Sequence, residues 1–437
     1  MKKIRKDYFQ NTRKPIENSV SPLSRDRRDT GKNPYINKIL FFLFIFLLPT
    51  QLGKHFFFPF SYLYGVRVDF LAPTLYMIDL VVLATAIANI KTVLNFFKRK
   101  SLLIFLVLIC FNISFSFSKQ LAVYGSLRIL EFLIVFSLGP TIVKVLKEKS
   151  FLVALIMSSA VEIFLSVYQI VYKQSFQQIF YFLGERLISL DTPGIAKIDF
   201  NQVQFMRPYG TFSHPNSLAG FYLLSYFFVL TRKEFDKHHF LKYLFLFAST
   251  ILVFLSFSKG AIFVYISLNT FYWATDSRVS CGLCRFSRIV TPLVIGSIFF
   301  LIGRGDPLTL DKRIELAYDS LMIITKHPLF GVGIGNYLIA QSHYPSHFPL
   351  FFNQPVHNIF LLLIAEVGTF IFVYVFWSIG KKLWDNRTKI DIGMILVGLV
   401  VFMTGLFDHY WLTLIQNYLL MGTVFSISFG EIFLSRD

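Results

Sequence analysis

The stretch RPYGTFSHPNSLAGF, residues 207–221, sets an arginine, a histidine and an asparagine directly before an apolar run. Pro208 biases Arg207 toward extended backbone, and Gly210 and Pro215 keep the segment irregular until Asn216 or Ser217 can cap a helix. A helix N-terminus carries about half a positive charge and unpaired N–H groups. With Arg207 and His214 beside it, that end suits a phosphate. Taken singly, an arginine snorkelling to headgroups and a histidine in a turn explain the same residues. Four further motifs add to the pattern. Lys259 lies in FSKGAIFV, Arg313 lies in DKRIELAY, and His357 with Asn358 opens a second apolar run in QPVHNIFLLLIAEVG. Asp408, His409 and Tyr410 follow in GLFDHYWLTLI. Cations gathered with no equal number of acids need an anionic partner, and at a membrane surface a lipid-linked pyrophosphate is the obvious one.

The elements that must hold these residues are set by composition. Of 437 residues 54% are hydrophobic and 53 are phenylalanine, and the mean hydropathy is +0.58, which excludes an ordinary soluble domain. Apolar stretches that approach or reach the span length of about 17–25 residues lie near 38–53, 68–90, 101–118, 120–143, 151–172, 217–231, 241–258, 260–275, 288–303, 357–379, 390–407 and 409–430. The expected fold class is therefore an all-α polytopic membrane protein of about twelve transmembrane helices. The net charge of +18 resembles a nucleic-acid signature until its location is considered. With a cytoplasmic N-terminus, the even-numbered connections and the two tails hold roughly 30 of the 43 Lys and Arg, the positive-inside bias. Both termini are expected in the cytoplasm. Residues 1–37 read as a disordered basic tail near anionic headgroups, 38–430 as the membrane domain and 431–437 as a short tail. No cleavable signal peptide is evident, so the first span is expected to be retained.

This topology leaves two long external loops, 173–216 and 304–356, and puts every motif above on the external side. Within the second, Ile314, Ala317, Tyr318, Leu321 and Ile324 follow helical spacing, so an amphipathic helix is expected across the external surface. GVGIGNY, residues 331–337, has dinucleotide-like glycine spacing but no β-α-β unit around it. It reads instead as a tight turn where backbone approaches another segment. SFSK, residues 256–259, fits S-x-x-K, yet S-D-N and K-T-G are missing downstream. Cys281 and Cys284 form a lone C-x-x-C, expected as free thiols rather than half a metal site. No D-x-D or other metal-ligand spacing occurs in the external loops, so no metal and no cofactor are expected. Inside the spans, Glu366 and Asp79 need a partner or a proton, whereas Arg128 and Glu131, three apart, can satisfy each other.

RPYGTFSHPNSLAGF, FSKGAIF, Arg313 ahead of HPLFGVGIGNY, HNIFLLLIAEVG and GLFDHYWLTLIQNYLL run in order from about residue 207 to 425. Together they resemble the O-antigen ligase and O-antigen polymerase superfamily of membrane glycan transferases. The resemblance implies an undecaprenyl-pyrophosphate-linked glycan donor and a glycan or glycolipid acceptor with a free sugar hydroxyl. It implies metal-independent transfer at the external face of the inner (cytoplasmic) membrane. By position, Arg207 and Arg313 would hold the pyrophosphate and His357 would be the catalytic histidine. His214 and Lys259 would line the site, with Asn216, Asn358 and His409 as further substrate-binding residues. Arginine suits a leaving pyrophosphate because its planar fork stays charged, and histidine suits the deprotonation of a hydroxyl. Inversion at the anomeric carbon is expected. A polymerase of lipid-linked repeat units keeps the same chemistry with another acceptor. A transporter of lipid-linked oligosaccharide would spread its charges along a central path and, in many folds, show duplicated halves.

Overall fold

The computed structural model describes residues 34–200, 202–275, 281–302, 309–345, 347 and 354–434. Most of the expected basic tail, the last three residues and parts of the 304–356 loop lie outside these. The chain is mostly helical. The helices are α1 (Pro34–Leu47), α2 (Met77–Ala88), α3 (Ile90–Phe97), α4 (Lys100–Phe115), α5 (Lys119–Tyr172), α6 (Pro215–Thr231), α7 (His239–Leu255) and α8 (Lys259–Thr275). They continue as α9 (Gly282–Ile302), α10 (Thr309–Lys326), α11 (Tyr337–Gln341), α12 (Ile359–Asp385), α13 (Ile392–Gly405), α14 (Tyr410–Thr413) and α15 (Ile415–Phe433). Among the described residues four helical stretches are long and apolar enough to cross a membrane, or five if α2 and α3, bent by 88° at Asn89, serve as one.

The helices depart from the expected spans at α2 and at α5. Residues 68–76 hold only a single 3-10 turn, Asp69–Leu71, and a short strand: α2 starts at Met77, because Asp79 Oδ2 accepts the Tyr76 N–H at 2.8 Å and caps it there. The spans expected at 120–143 and 151–172 join in α5, whose backbone leaves the helical region at Lys147 (φ 57°, ψ 163°). The all-α expectation also omits three short antiparallel pairs. These are β1 (Gly53–His55) with β4 (Thr74–Tyr76), β2 (Tyr62–Leu63) with β3 (Val66–Arg67), and β5 (Lys197–Phe200) with β6 (Val203–Met206). Each is too short to announce itself by alternation.

At the centre stands α6. From Pro215 to Leu230 it is buried except at Asn216, and it packs against α7, α13, α15 and α8. A helix apolar on every side belongs in the middle of a bundle. Its polar anchors go to α15, where Ser217 Oγ bonds to Asn417 Oδ1 and Asn417 Nδ2 donates to the Ser217 carbonyl at 3.0 Å.

The amphipathic helix is present as α10, but its buried side is Leu316, Asp319, Ser320 and Ile323. Leu316 and Ile323 pack with Tyr337, Leu338, Val356 and Leu362, while Ile314, Tyr318 and Leu321 are exposed. Next to it the glycine turn meets α12. Val332 N–H donates to the Ala365 carbonyl, Gly333 N–H to the Glu366 carbonyl and Thr369 N–H to the Pro328 carbonyl, at 2.7–2.9 Å. Gly368 interrupts α12 with φ +77°, and a Cβ there would lie 2.2 Å from the Leu329 carbonyl oxygen. Backbone lies directly on backbone, which requires glycine. Asn112 bridges the same junction, donating to the Phe330 and Glu366 carbonyls and accepting from Ile334 N–H. The Glu366 carboxyl faces the N–H groups of Gly335 and Tyr337. Arg128 is shared by Glu131 at 2.6 Å and Asp79 at 2.9 Å. Cys281 and Cys284 are joined as a disulfide, not free: the first turn of α9 sets them side by side, with Cα atoms 5.2 Å apart.

Candidate functional site

Pro215, at the first position of α6, has no N–H to offer. The first N–H that needs a partner is that of Asn216, and His214 Nδ1 accepts it at 3.1 Å. His214, rather than Asn216 or Ser217, is therefore the N-cap. A ring nitrogen that accepts carries no proton, so His214 Nδ1 is the bare nitrogen of the ring. With the cap supplied, the Asn216 side chain is free to turn outward. Its oxygen accepts from Arg207 Nη2 at 2.7 Å and its nitrogen donates to Asp408 Oδ2 at 2.8 Å. Arg207 Nε in turn donates to the Ser256 carbonyl at 2.9 Å, at the end of α7.

Asp408 lies in the turn between α13 and α14. Trp411 Nε1 donates to Thr404 Oγ1 at 2.8 Å across that turn. The carboxylate also accepts the N–H of His409 on Oδ1 at 2.8 Å, and His357 Nδ1 stands 3.6 Å from that same oxygen. That separation is beyond hydrogen-bond distance, and Nδ1 is buried with no other partner. The rings of His357 and His409 are 5.1 Å apart, and Phe70 meets the His409 ring edge-on at 5.6 Å. His409 Nδ1 lies 2.7 Å from Thr413 Oγ1. Asn358 caps α12 through the N–H groups of Phe360 and Leu361 and reaches the Leu406 carbonyl at 3.3 Å. Arg313, on the first turns of α10, donates to the Phe407 carbonyl at 3.2 Å, one residue from Asp408. Its Nε is buried and has no partner.

Five segments distant in sequence thus meet: 207–216, 256, 313, 357–358 and 406–413. Burial brings the Arg207 guanidinium down to about 10, with the charge of Arg313 acting in the same direction and Tyr209 and Asp408 opposing. It stays charged at neutral pH. Burial brings both His214 and His409 down to about 3 against the pull of Asp408, so both rings are neutral. Burial opposes the Asp408 carboxylate as well, yet the His357 ring beside it holds it well below the usual carboxylate range. Two guanidinium groups and one carboxylate leave an excess positive charge, which suits an anion.

Lys259 is not part of this network. It is exposed at the head of α8 with its ammonium 5.5 Å from the Phe300 ring, and the SFSK segment reaches Arg207 through the Ser256 carbonyl instead. Asp408 carried no assigned role in the sequence, although DHY sat among the cationic motifs, and it proves to be the hub. His357, Asp408 and His409 offer three possible metal-ligand atoms within 4.8 Å of one another. Spacing could not show this, because His357 and Asp408 come from different turns. Two arginines beside them and an Asp408 already bonded to Asn216 and to its neighbour's N–H disfavour a cation there.

Residues 216–376 match the family model described as O-antigen ligase, which supports the superfamily resemblance. The matched segment contains Asn216, Lys259, Arg313, His357 and Asn358, whereas Arg207, His214, Asp408 and His409 lie outside it. No curated protein matches the chain.

Proposed function

We propose, with the support that this match gives to an O-antigen ligase or polymerase type of membrane glycosyltransferase, that the chain transfers a glycan from a polyprenyl-diphosphate donor to an acceptor sugar hydroxyl. The reading places the site on the external face of a cytoplasmic membrane, in a chain of about twelve spans with both termini inside. The observation that carries it is the hydrogen-bonded link from Arg207 through Asn216 to Asp408, with His357 Nδ1 3.6 Å from that carboxylate and Arg313 alongside offering a buried donor that no described residue accepts.

Arg207 and Arg313 take the diphosphate oxygens and stabilise the charge that develops as the anomeric C–O bond breaks. His357 accepts the proton of the incoming hydroxyl, and Asp408, close to its ring, orients it and balances the positive charge it gains. The hydroxyl oxygen forms the new bond on the face opposite the leaving diphosphate, so configuration inverts. Asn216 holds the clamp and the base at a fixed separation, which is what in-line displacement requires.

The test is purified protein in lipid nanodiscs with a defined polyprenyl-diphosphate glycan and candidate acceptors. A new glycosidic bond, with release of polyprenyl diphosphate, is the expected result. Movement of labelled donor across sealed vesicles with no new bond would sink the reading.

A further inference from the structure

The strap that carries Arg207 and His214 is pinned from below by two side chains of α5. Gln169 Oε1 accepts the N–H groups of Tyr209 at 2.8 Å and Gly210 at 2.9 Å. Its Nε2 donates to the Gly210 carbonyl at 3.1 Å and to Glu185 Oε1 at 2.9 Å. One residue on, the Thr211 N–H donates to Glu162 Oε2 at 3.0 Å. Three successive N–H groups of the strap therefore point into α5 and end on Glu162 and Gln169, seven residues or about two helical turns apart. Both side chains are buried. Gly210, at φ +56°, allows the approach, since a Cβ there would lie 1.9 Å from Glu162 Oε2.

Counting hydrogens decides the state of Glu162. Thr211 Oγ1 is 2.6 Å from the Pro49 carbonyl oxygen and 2.6 Å from Glu162 Oε1. A threonine hydroxyl has one hydrogen, and a carbonyl has none to give. Whichever contact that hydrogen fills, the other joins two oxygens at close range and needs a second hydrogen. Glu162 alone can bring it. Among the described residues no Lys, Arg or His forms an ion pair with Glu162, and an uncompensated carboxylate at this depth of a membrane bundle is costly.

We propose that Glu162 is held as a neutral carboxylic acid that donates to Thr211, and that Glu162 and Gln169 are positioning residues which set Arg207 and His214 for the donor diphosphate. The positioning half rests on the transferase reading above; the protonation half does not. The proton passes no further: Glu162 Oε1–H donates to Thr211 Oγ1, Thr211 Oγ1–H donates to Pro49, and Thr211 N–H donates to Glu162 Oε2.

Infrared difference spectroscopy of the full chain in nanodiscs at neutral pH, wild type against Glu162→Gln, tests the first half. A carbonyl band of a protonated carboxylic acid that disappears in the variant is expected; no such band overturns the neutral acid. For the second half, Glu162→Gln can reproduce both hydrogen bonds, so kcat and donor KM are expected to stay within about threefold of wild type. Glu162→Asp pulls the carboxyl back by one methylene and shifts the strap. With displacements of about 1 Å costing up to about a hundredfold in rate, donor KM is expected to rise at least tenfold while the thermal unfolding midpoint in detergent stays within a few degrees. An unchanged donor KM in Glu162→Asp, or a Glu162→Gln as impaired as Glu162→Asp, overturns the positioning role. A wild-type protein with no transferase activity would remove the function and leave the infrared result standing.

Discussion

Asn216 joins Arg207 to Asp408, accepting from one at 2.7 Å and donating to the other at 2.8 Å. Asn216→Leu keeps the volume and leaves both partners short of a hydrogen bond, which costs about 1–3 kcal/mol per group. For the two groups together the low end of that range, about 2 kcal/mol, already corresponds to a loss in kcat/KM of about 30-fold. Asn216→Asp should be worse, because it still accepts from Arg207 but sets a second carboxylate against Asp408. If Asn216→Asp matches wild type in a transfer assay, the bridge has no part in the reaction.

Asp408→Asn separates orientation from binding. The amide keeps the shape of the turn and removes the charge 3.6 Å from His357 Nδ1. The expected outcome is a fall in kcat of about 10²–10⁴-fold, the range for losing an effective general base, with donor KM little changed. Steady-state kinetics at saturating acceptor separates the two. A variant whose defect lies wholly in donor KM would move Asp408 from the base to the clamp.

Arg313 carries a buried Nε without a partner and one bond to the Phe407 carbonyl. Lysine can replace its charge but not its fork. Arg313→Lys is therefore expected to lose about 10–100-fold in kcat/KM, the size of one or two charge-assisted hydrogen bonds. The check is the same donor assay, with direct donor binding measured alongside; full activity in Arg313→Lys would take the residue out of the clamp.

Three possible ligand atoms within 4.8 Å at His357, Asp408 and His409 make chelation informative. Beside two arginines, transfer is expected to continue unchanged after prolonged treatment with EDTA. Loss of activity that one divalent cation restores would make this cluster a metal centre and His357 a ligand rather than a base.

How much of this was legible in sequence depends on the range of each interaction. Helices with long apolar runs were legible, because hydrophobicity is local, and so was the glycine turn at 331–335, whose positive φ values demand a residue type. The start of α2 was not, since Asp79 caps it from inside an apolar run. Nor was the buried side of α10: Ile314, Tyr318 and Leu321 have the right period, yet the turn at 328–335 and α12 cover the side holding Leu316 and Ile323. In the site, residue types could be proposed from charge alone, and Arg207, Arg313 and His357 needed no partner to attract notice. The hub role of Asp408 and the strap contacts of Glu162 and Gln169 depend on segments 40 to 192 residues apart meeting in space, which no local pattern reports. Lys259 shows the converse, a suitable charge on a suitable motif whose side chain lies over Phe300 rather than in the Arg207–Asp408 network.

His214 and His409 predict how stability should respond to acid. Both are held down to about 3 by burial, whereas in the unfolded chain a histidine titrates near 6.5. Above about pH 6.5 neither state binds the proton and the two rings add no pH dependence. Between about 6.5 and 3 the unfolded chain takes up protons that the folded protein refuses, so stability falls as pH falls, by up to about 1.4 kcal/mol per pH unit for each histidine. Asp408, held below its usual range, adds a loss of the same sign only below about pH 4. Glu162, protonated in the folded protein and ionised in the unfolded chain, contributes a slope of the opposite sign over the same window, so the two rings are read from thermal unfolding in detergent of wild type against a histidine variant from pH 7.5 to 5. His214→Asn keeps an acceptor at the N-cap of α6 and removes one of the two titrating rings, so between about pH 6.5 and 5 that variant should lose less stability than wild type, by up to about 1.4 kcal/mol per pH unit. An unaltered slope would mean that His214 takes up its proton in the folded state as readily as in the unfolded chain, and that its neutral, capping role is wrong.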